Sequence, residues 1–253
     1  MNAEQELQDA LAATSAAHFD GQGAARDYGA LCTSAEHARV VSAVGGLADL
    51  NFKQLRIAAQ TAFWLNVFNS IVVRDIAELA QAETVKEVEA FFEKPRVRVA
   101  GFGYSLDDIE HGLLRGNVPK FGAKRPPMQR DDPRLAHTPL AYDERMHFGL
   151  YTARRSSPPL RVFHPESFES QLEQATEHYL RATVQMKDEQ FRVKLRLPQL
   201  FKLYGEDFGD ERDVLEFVLA RLDEEVAQLV DRRDGRVKFM YLEYDAAPNT
   251  RAR

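Results

Sequence analysis

Along most of the chain, apolar residues recur at helical spacing. Leu7, Ala10 and Leu11 lay a narrow stripe along Ala3 to Phe19, and the Gly-containing stretch from Asp20 to Gly23 ends it. This predicts an N-terminal helical arm within residues 1–50. From Phe52 to Ala82 the pattern widens. Leu55, Ile57, Ala62, Trp64, Leu65, Phe68, Ile71, Val72 and Ile76 surround most of a helix, which predicts a helix buried in the middle of the fold. Val97 to Ala100 alternates apolar with basic positions, like a short strand. Ser105 opens the next predicted helix and Gly116 ends it. The Ser105 hydroxyl suits a cap, and Asp107 and Asp108 suit the positive end of the helix dipole.

Asn117 to Tyr142 carries prolines, a glycine and scattered charge without a period, which predicts a long loop. Arg145 to Thr152 reads as a short apolar strand on which His147 faces away from Met146 and Phe148. Pro165 opens a helix with Phe168, Leu172, Ala175, Tyr179 and Leu180 on one face. Val193, Leu195 and Leu197 alternate with Arg192, Lys194 and Arg196, a strand with one buried and one basic face. A helix from Glu211 to Asp231 and a strand from Val237 to Tyr244 close the chain. The expected fold class is α+β: a mainly helical single domain over residues 51–253, with a small β-sheet.

Composition narrows the function classes. A formal net charge of −6 argues against steering toward nucleic acid. The one cysteine, Cys32, excludes an internal disulfide and a multi-thiolate zinc site; it reads as an ordinary buried thiol. The most apolar stretch, Ala58 to Ala80, is broken by Asn66, Asn69, Arg74, Asp75 and Glu78, too polar for a bilayer. The N-terminus lacks a basic start with an apolar run behind it, so a cytoplasmic location is expected. No motif implies a cofactor.

Four polar segments interrupt this pattern. Asn66 and Asn69 sit among aromatics on the buried helix; either they tie a neighbouring loop to it or one of them orients a ligand. Glu110, His111 and Arg115 lie within a few turns, with His111 and Arg115 spaced to share a face. His147 stands among apolar neighbours, as a hydrogen-bonded core histidine or as a base. Finally, Ser157 precedes Pro158-Pro159, where the backbone is stiff, and Arg154, Arg155 and Arg161 make the area electropositive.

Together these segments resemble the domain-of-unknown-function family 547. Its Phe-Trp-x-Asn-x-Tyr-Asn stretch is matched by Phe63 to Asn69, and its Leu-Asp-Asp-Ile-Glu-His-Gly-Ile-Leu-Arg stretch by Leu106 to Arg115. Asp132 to Ala136 matches an Asp-Pro-Arg-Leu-Ala segment, and His147 to Leu150 a His-Phe-Ala-Leu segment. Ser156 to Arg161 stands where the family has Ser-Cys-Pro-Pro-Leu-Arg, and Leu200 to Tyr204 with Tyr244-Asp245 resembles its end. The resemblance implies a site rather than a reaction. The family pattern suits a thiol nucleophile with a histidine base. Here both cysteine positions are lost, to Thr152 and Ser157, and Phe68 replaces a tyrosine.

The resulting expectation is a cleft formed by Glu110, His111, His147 and Ser157, with Asn66, Asn69, Arg115 and Arg161 in binding roles. It would serve a binding or scaffold module for a small anionic ligand or a protein partner. The alternative is a hydrolase or acyl-transfer enzyme with Ser157 as nucleophile and a histidine base. A metal site on Glu110, His111 and His147 has no His-Glu-x-x-His run behind it.

Overall fold

Helix α4 (Gln60–Ala82) is the axis of the fold, and Phe63, Trp64, Leu65, Val67, Phe68, Ile71 and Val72 on it are all buried. The computed structural model describes residues 2–82 and 91–250. The helix begins later than its apolar pattern suggests. Phe52–Gln54 and Ile57–Ala59 form separate 3-10 turns, and Ile57 is 61% exposed, so it does not belong to the core face.

Three helices precede it. They are α1 (Ala3–His18), α2 (Tyr28–Cys32) and α3 (Ala35–Gly45). The predicted arm is part of the core: Leu7, Leu11, Leu31, Val40 and Val44 share one buried cluster with α4. Burial of each such leucine stabilises by roughly 1.5–3 kcal/mol, enough to hold the arm against the body. The loop after α1 reaches the Pro158-Pro159 turn. Gly23 has φ +73° there, and a Cβ on it would lie 2.5 Å from Pro159 Cβ, so only glycine fits.

Among the described residues, two small sheets form. Strands β1 (Val97–Val99) and β2 (Phe102–Tyr104) make a hairpin whose two turn residues, Ala100 and Gly101, both have positive φ. After α5 (Phe168–Thr183), β3 (Gln185–Glu189) pairs antiparallel with β4 (Arg192–Leu197), and β5 (Val237–Tyr241) pairs parallel with β4 on its other edge. As the alternation predicts, Val193, Leu195 and Leu197 are buried. Between β4 and β5 lie α6 (Leu200–Leu203), α7 (Glu211–Leu219) and α8 (Glu224–Arg232).

The structure corrects two further expectations. The single helix from Glu211 to Asp231 is broken between α7 and α8. Arg221 is drawn to Glu173 by bonds of 2.7 and 3.0 Å, and Asp223 is extended, so the chain must restart. Arg145 to Thr152 is not a strand: Glu144–Phe148 is a 3-10 turn capped by Asp143, whose carboxylate accepts from the Arg145 N–H at 2.9 Å. Met146, His147 and Phe148 are all buried, so no face alternation exists there. The long loop from Asn117 to Tyr142 contains a 3-10 helix, Pro133–His137, and Trp64 Nε1 donates to the His137 carbonyl at 2.9 Å. Among the described residues, no helix is long and apolar enough to cross a membrane.

Candidate functional site

The segment from Ser105 to Arg115 starts with reciprocal bonds. Asp108 N–H donates to Ser105 Oγ at 3.0 Å, and Ser105 N–H donates to Asp108 Oδ2 at 2.9 Å. The turns beyond, Asp108–Leu114, are π-helical: the Arg115 N–H reaches back five residues to the Glu110 carbonyl at 2.9 Å. This widened turn leaves Glu110, His111 and Arg115 all buried. Such turns cluster at functional sites.

Arg115 organises the group. Its Nε and Nη2 fork onto Asp207 at 2.6 and 2.7 Å, and its Nη1 donates to His111 Nδ1 at 3.0 Å. A guanidinium can only donate, so His111 Nδ1 is an acceptor and the ring proton sits on Nε2. Nε2 lies 3.9 Å from Glu110 Oε1 and 4.0 Å from Asp107 Oδ1. Burial lowers the His111 pKa despite those two carboxylates, so the ring is held neutral. Its lone pair is already engaged, which disqualifies His111 as a base in this arrangement.

Asp207 comes from a 3-10 turn after α6, Gly205–Asp207. Burial pushes its carboxyl up, but the hydrogen bonds from His147 and Arg115 outweigh burial and hold it well below the usual carboxylate range. An ionised Asp207 is acceptor-only, so His147 Nε2, 2.7 Å from its Oδ2, carries the proton. His147 Nδ1 is buried and has no partner among the described residues. Tyr204 covers the pair: its ring stacks on His147 at 4.1 Å, and its hydroxyl donates to Glu110 Oε1 at 2.6 Å. Burial, followed by the charge of Glu110, raises the Tyr204 pKa and keeps that hydroxyl a donor.

A cavity of about 440 Å³ lies against this network, lined by Glu110, His147, Thr152, Ser157, Tyr204 and Tyr244 with apolar walls that include Leu150, Leu200 and Leu203. A second, of about 360 Å³, shares Glu110, Thr152, Tyr204 and Tyr244 and adds His111 and Arg154. Ser157 does not meet a histidine. Its Oγ donates to the Pro158 carbonyl at 2.9 Å. Thr152 Oγ1, at the other position where the family has cysteine, is buried without a partner among the described residues.

Glu110, His111, Arg115 and His147 are thus joined in one network, and Ser157 lines the cavity beside it. The other three candidates stand apart. Asn66 closes a pair of bonds with the Phe163 backbone at 2.7 and 2.9 Å. Asn69 donates to the Gly149 and Arg161 carbonyls at 3.0 and 3.1 Å and accepts from Tyr151 N–H at 2.9 Å. Both tie loops to α4. The arginines do not gather either. Arg155 lines the larger cavity 3.6 Å from Asp245, Arg154 donates to the Ala246 carbonyl, and Arg161 lines a separate groove. Among the described residues no group of three His, Cys, Asp or Glu side chains is placed to hold a metal ion.

The residue pattern does not single out Asp207 as a partner, and Tyr204 stands in it only as part of a motif. The available signal was the polar Tyr204-Gly205-Glu206-Asp207 run directly after an apolar turn. Nothing in its spacing points to Arg115 or His147, each at least sixty residues away.

Comparison with curated proteins and with solved structures returned no match. A model of one family, described as protein of unknown function DUF547, matches residues 52–180. Those residues hold Glu110, His111, Arg115, His147 and Ser157, while Tyr204 and Asp207 lie beyond them. With that model spanning just over half of the 253 residues, the chain belongs to the DUF547 family.

Proposed function

We propose that this protein is a ligand-binding member of its family, whose larger cavity holds a small and mostly apolar molecule without turning it over. One observation carries the reading: the Ser157 hydroxyl is committed to the Pro158 carbonyl at 2.9 Å. A serine nucleophile needs a histidine to take its proton. His147 supports the same reading, because Nε2 is held by Asp207 and Nδ1 is sealed from solvent. The cavity volume, about 440 Å³, falls within the roughly 300–1,000 Å³ range of small-molecule sites. Its walls are leucine, proline and tyrosine interspersed with serine, threonine and glutamine, and among the described residues Glu110, Glu243 and Arg155 are the charged groups.

A second reading is a hydrolase or acyl-transfer enzyme with Ser157 as nucleophile and His147 as base. It draws on their shared cavity and on Asp207 behind the imidazole.

An activated-serine reagent, a fluorophosphonate, separates the two. No labelling at Ser157 is expected, and stoichiometric labelling that His147→Ala removes would establish the enzyme instead. In Ser157→Cys, the new thiol is expected to react with iodoacetamide no faster than Cys32, whose own thiol burial pushes up. An apolar fluorescent dye should bind the native chain, and Leu200→Trp, which fills the cavity, should abolish that binding. Equal dye binding by both would remove the cavity as the site.

A further inference from the structure

Arg161 lines neither cavity of the network above. It faces a groove of about 360 Å³ between α1 and α5, together with Ser15, Gln171 and Gln174. Among the described residues, the rest of that lining is small or aliphatic, and Arg161 is its single charged residue. The position is fixed: Arg161 follows the Pro158-Pro159 turn, and its carbonyl accepts from Asn69 Nδ2 at 3.1 Å.

Its guanidinium is treated differently from four other part-buried arginines of this chain, each of which has a carboxylate. Arg115 is paired with Asp207, Arg134 with Asp132, Arg145 with Asp143, and Arg221 with Glu173. Among the described residues, Arg161 Nε is buried with no hydrogen-bond partner and no carboxylate pairs with the group. Burial therefore pulls its pKa down with nothing to offset it. A guanidinium stays charged in proteins, so an anion would supply both the absent acceptor and the absent countercharge. The groove also supplies neutral donors. Gln171 Oε1 already accepts from the His164 N–H at 2.7 Å, which leaves the N–H end of that amide to offer. Ser15 can donate its hydroxyl.

We propose that this groove binds an oxyanion, a carboxylate or phosphate group carried on a small molecule, with Arg161 as the charged partner and Gln171 and Ser15 as flanking donors. A guanidinium favours the paired oxygens of such a group. The site is separate from the larger cavity, so it stands or falls independently of the ligand-binding reading given above.

The test is a titration of the full chain followed by proton–nitrogen NMR, at constant ionic strength, with inorganic phosphate in one arm and butyrate in the other. The reporters are the backbone amides of Leu160 and Gln171 and the Arg161 Nε–H. A saturable shift with half-saturation on the order of 1–10 mM is expected in at least one arm, and the arm that saturates identifies the anion. Arg161→Gln should weaken the response about tenfold or more, read on the backbone amides. Where that variant fails to fold, Gln174→Glu serves: it places a carboxylate in the groove and should abolish the response. A linear, non-saturating drift with both anions overturns the proposal. So does an unchanged titration in either variant.

Discussion

His147 Nε2 and Asp207 Oδ2 lie 2.7 Å apart, and the same Asp207 oxygen accepts from Arg115 Nε at 2.6 Å. Three segments of chain, the π-helical turns, the 3-10 turn at His147 and the turn after α6, are therefore joined through one carboxylate. The Arg115 side chain beneath it is only 4% exposed.

Removing Asp207 should accordingly cost far more than one hydrogen bond. Asp207→Ala leaves a buried guanidinium unpaired, and a loss of about 3–5 kcal/mol is expected. Urea denaturation should show a lower midpoint with an unchanged slope. The double variant Asp207→Ala with Arg115→Met should be more stable than Asp207→Ala alone, because the orphaned charge is gone. A double variant weaker than the single would show that the cost lies elsewhere.

Acid should destabilise the fold in two stages of the same sign. His111 has its pKa lowered from 6.5, so the unfolded chain takes up a proton that the folded ring refuses. Its contribution is complete above pH 6.5 and is lost as pH falls through the lower folded value. Asp207, lowered from 3.8, behaves alike at more acidic pH: its stabilisation is present above 3.8 and fades below. Urea midpoints measured from pH 7 to pH 5 should therefore fall. His111→Gln should flatten that slope, by at most about 1.4 kcal/mol per pH unit. His137, whose pKa burial also lowers, accounts for part of the remainder.

Asn69 is expected to matter for stability rather than for ligand binding. It satisfies two carbonyls and one N–H of the segments carrying Gly149, Tyr151 and Arg161. Asn69→Ala strands these groups and should cost about 3 kcal/mol or more. Asn69→Asp should not restore it, since a carboxylate cannot donate to the Gly149 and Arg161 carbonyls. Thermal melts of both variants check this; a wild-type melting temperature in Asn69→Asp would contradict it.

Gly149 stands where the family pattern has alanine, yet Gly149→Ala should be unfavourable in this chain. A Cβ there would lie 2.9 Å from Phe163 Cζ and 3.2 Å from Leu65 Cδ1. Its φ of −98° is ordinary, so the cost is packing and not backbone strain. A loss of about 1–3 kcal/mol is expected by urea titration. Phe163→Leu should relieve it, and no relief would mean that the ring is not the obstacle.

The residue pattern by itself determined the elements with long, regular periodicity. The buried α4, the amphipathic α5 and the alternating β4 were all legible, because burial on one face or on every face is written directly into spacing. So were the Ser105 cap and the α+β class. The motifs also pointed to Glu110, His111 and His147, since polar groups in apolar elements demand partners. What those partners are was decided only in three dimensions. Asp207 lies ninety-two residues beyond Arg115, and no local rule couples them. The break at Arg221 and the turn at His147 were likewise settled by long-range contacts, to Glu173 and to Asp207, that override a short apolar pattern. For the same reason the role of Ser157 was open in sequence. Its hydroxyl could face a histidine or a carbonyl, and the packing of the Pro158 turn directs it to the carbonyl.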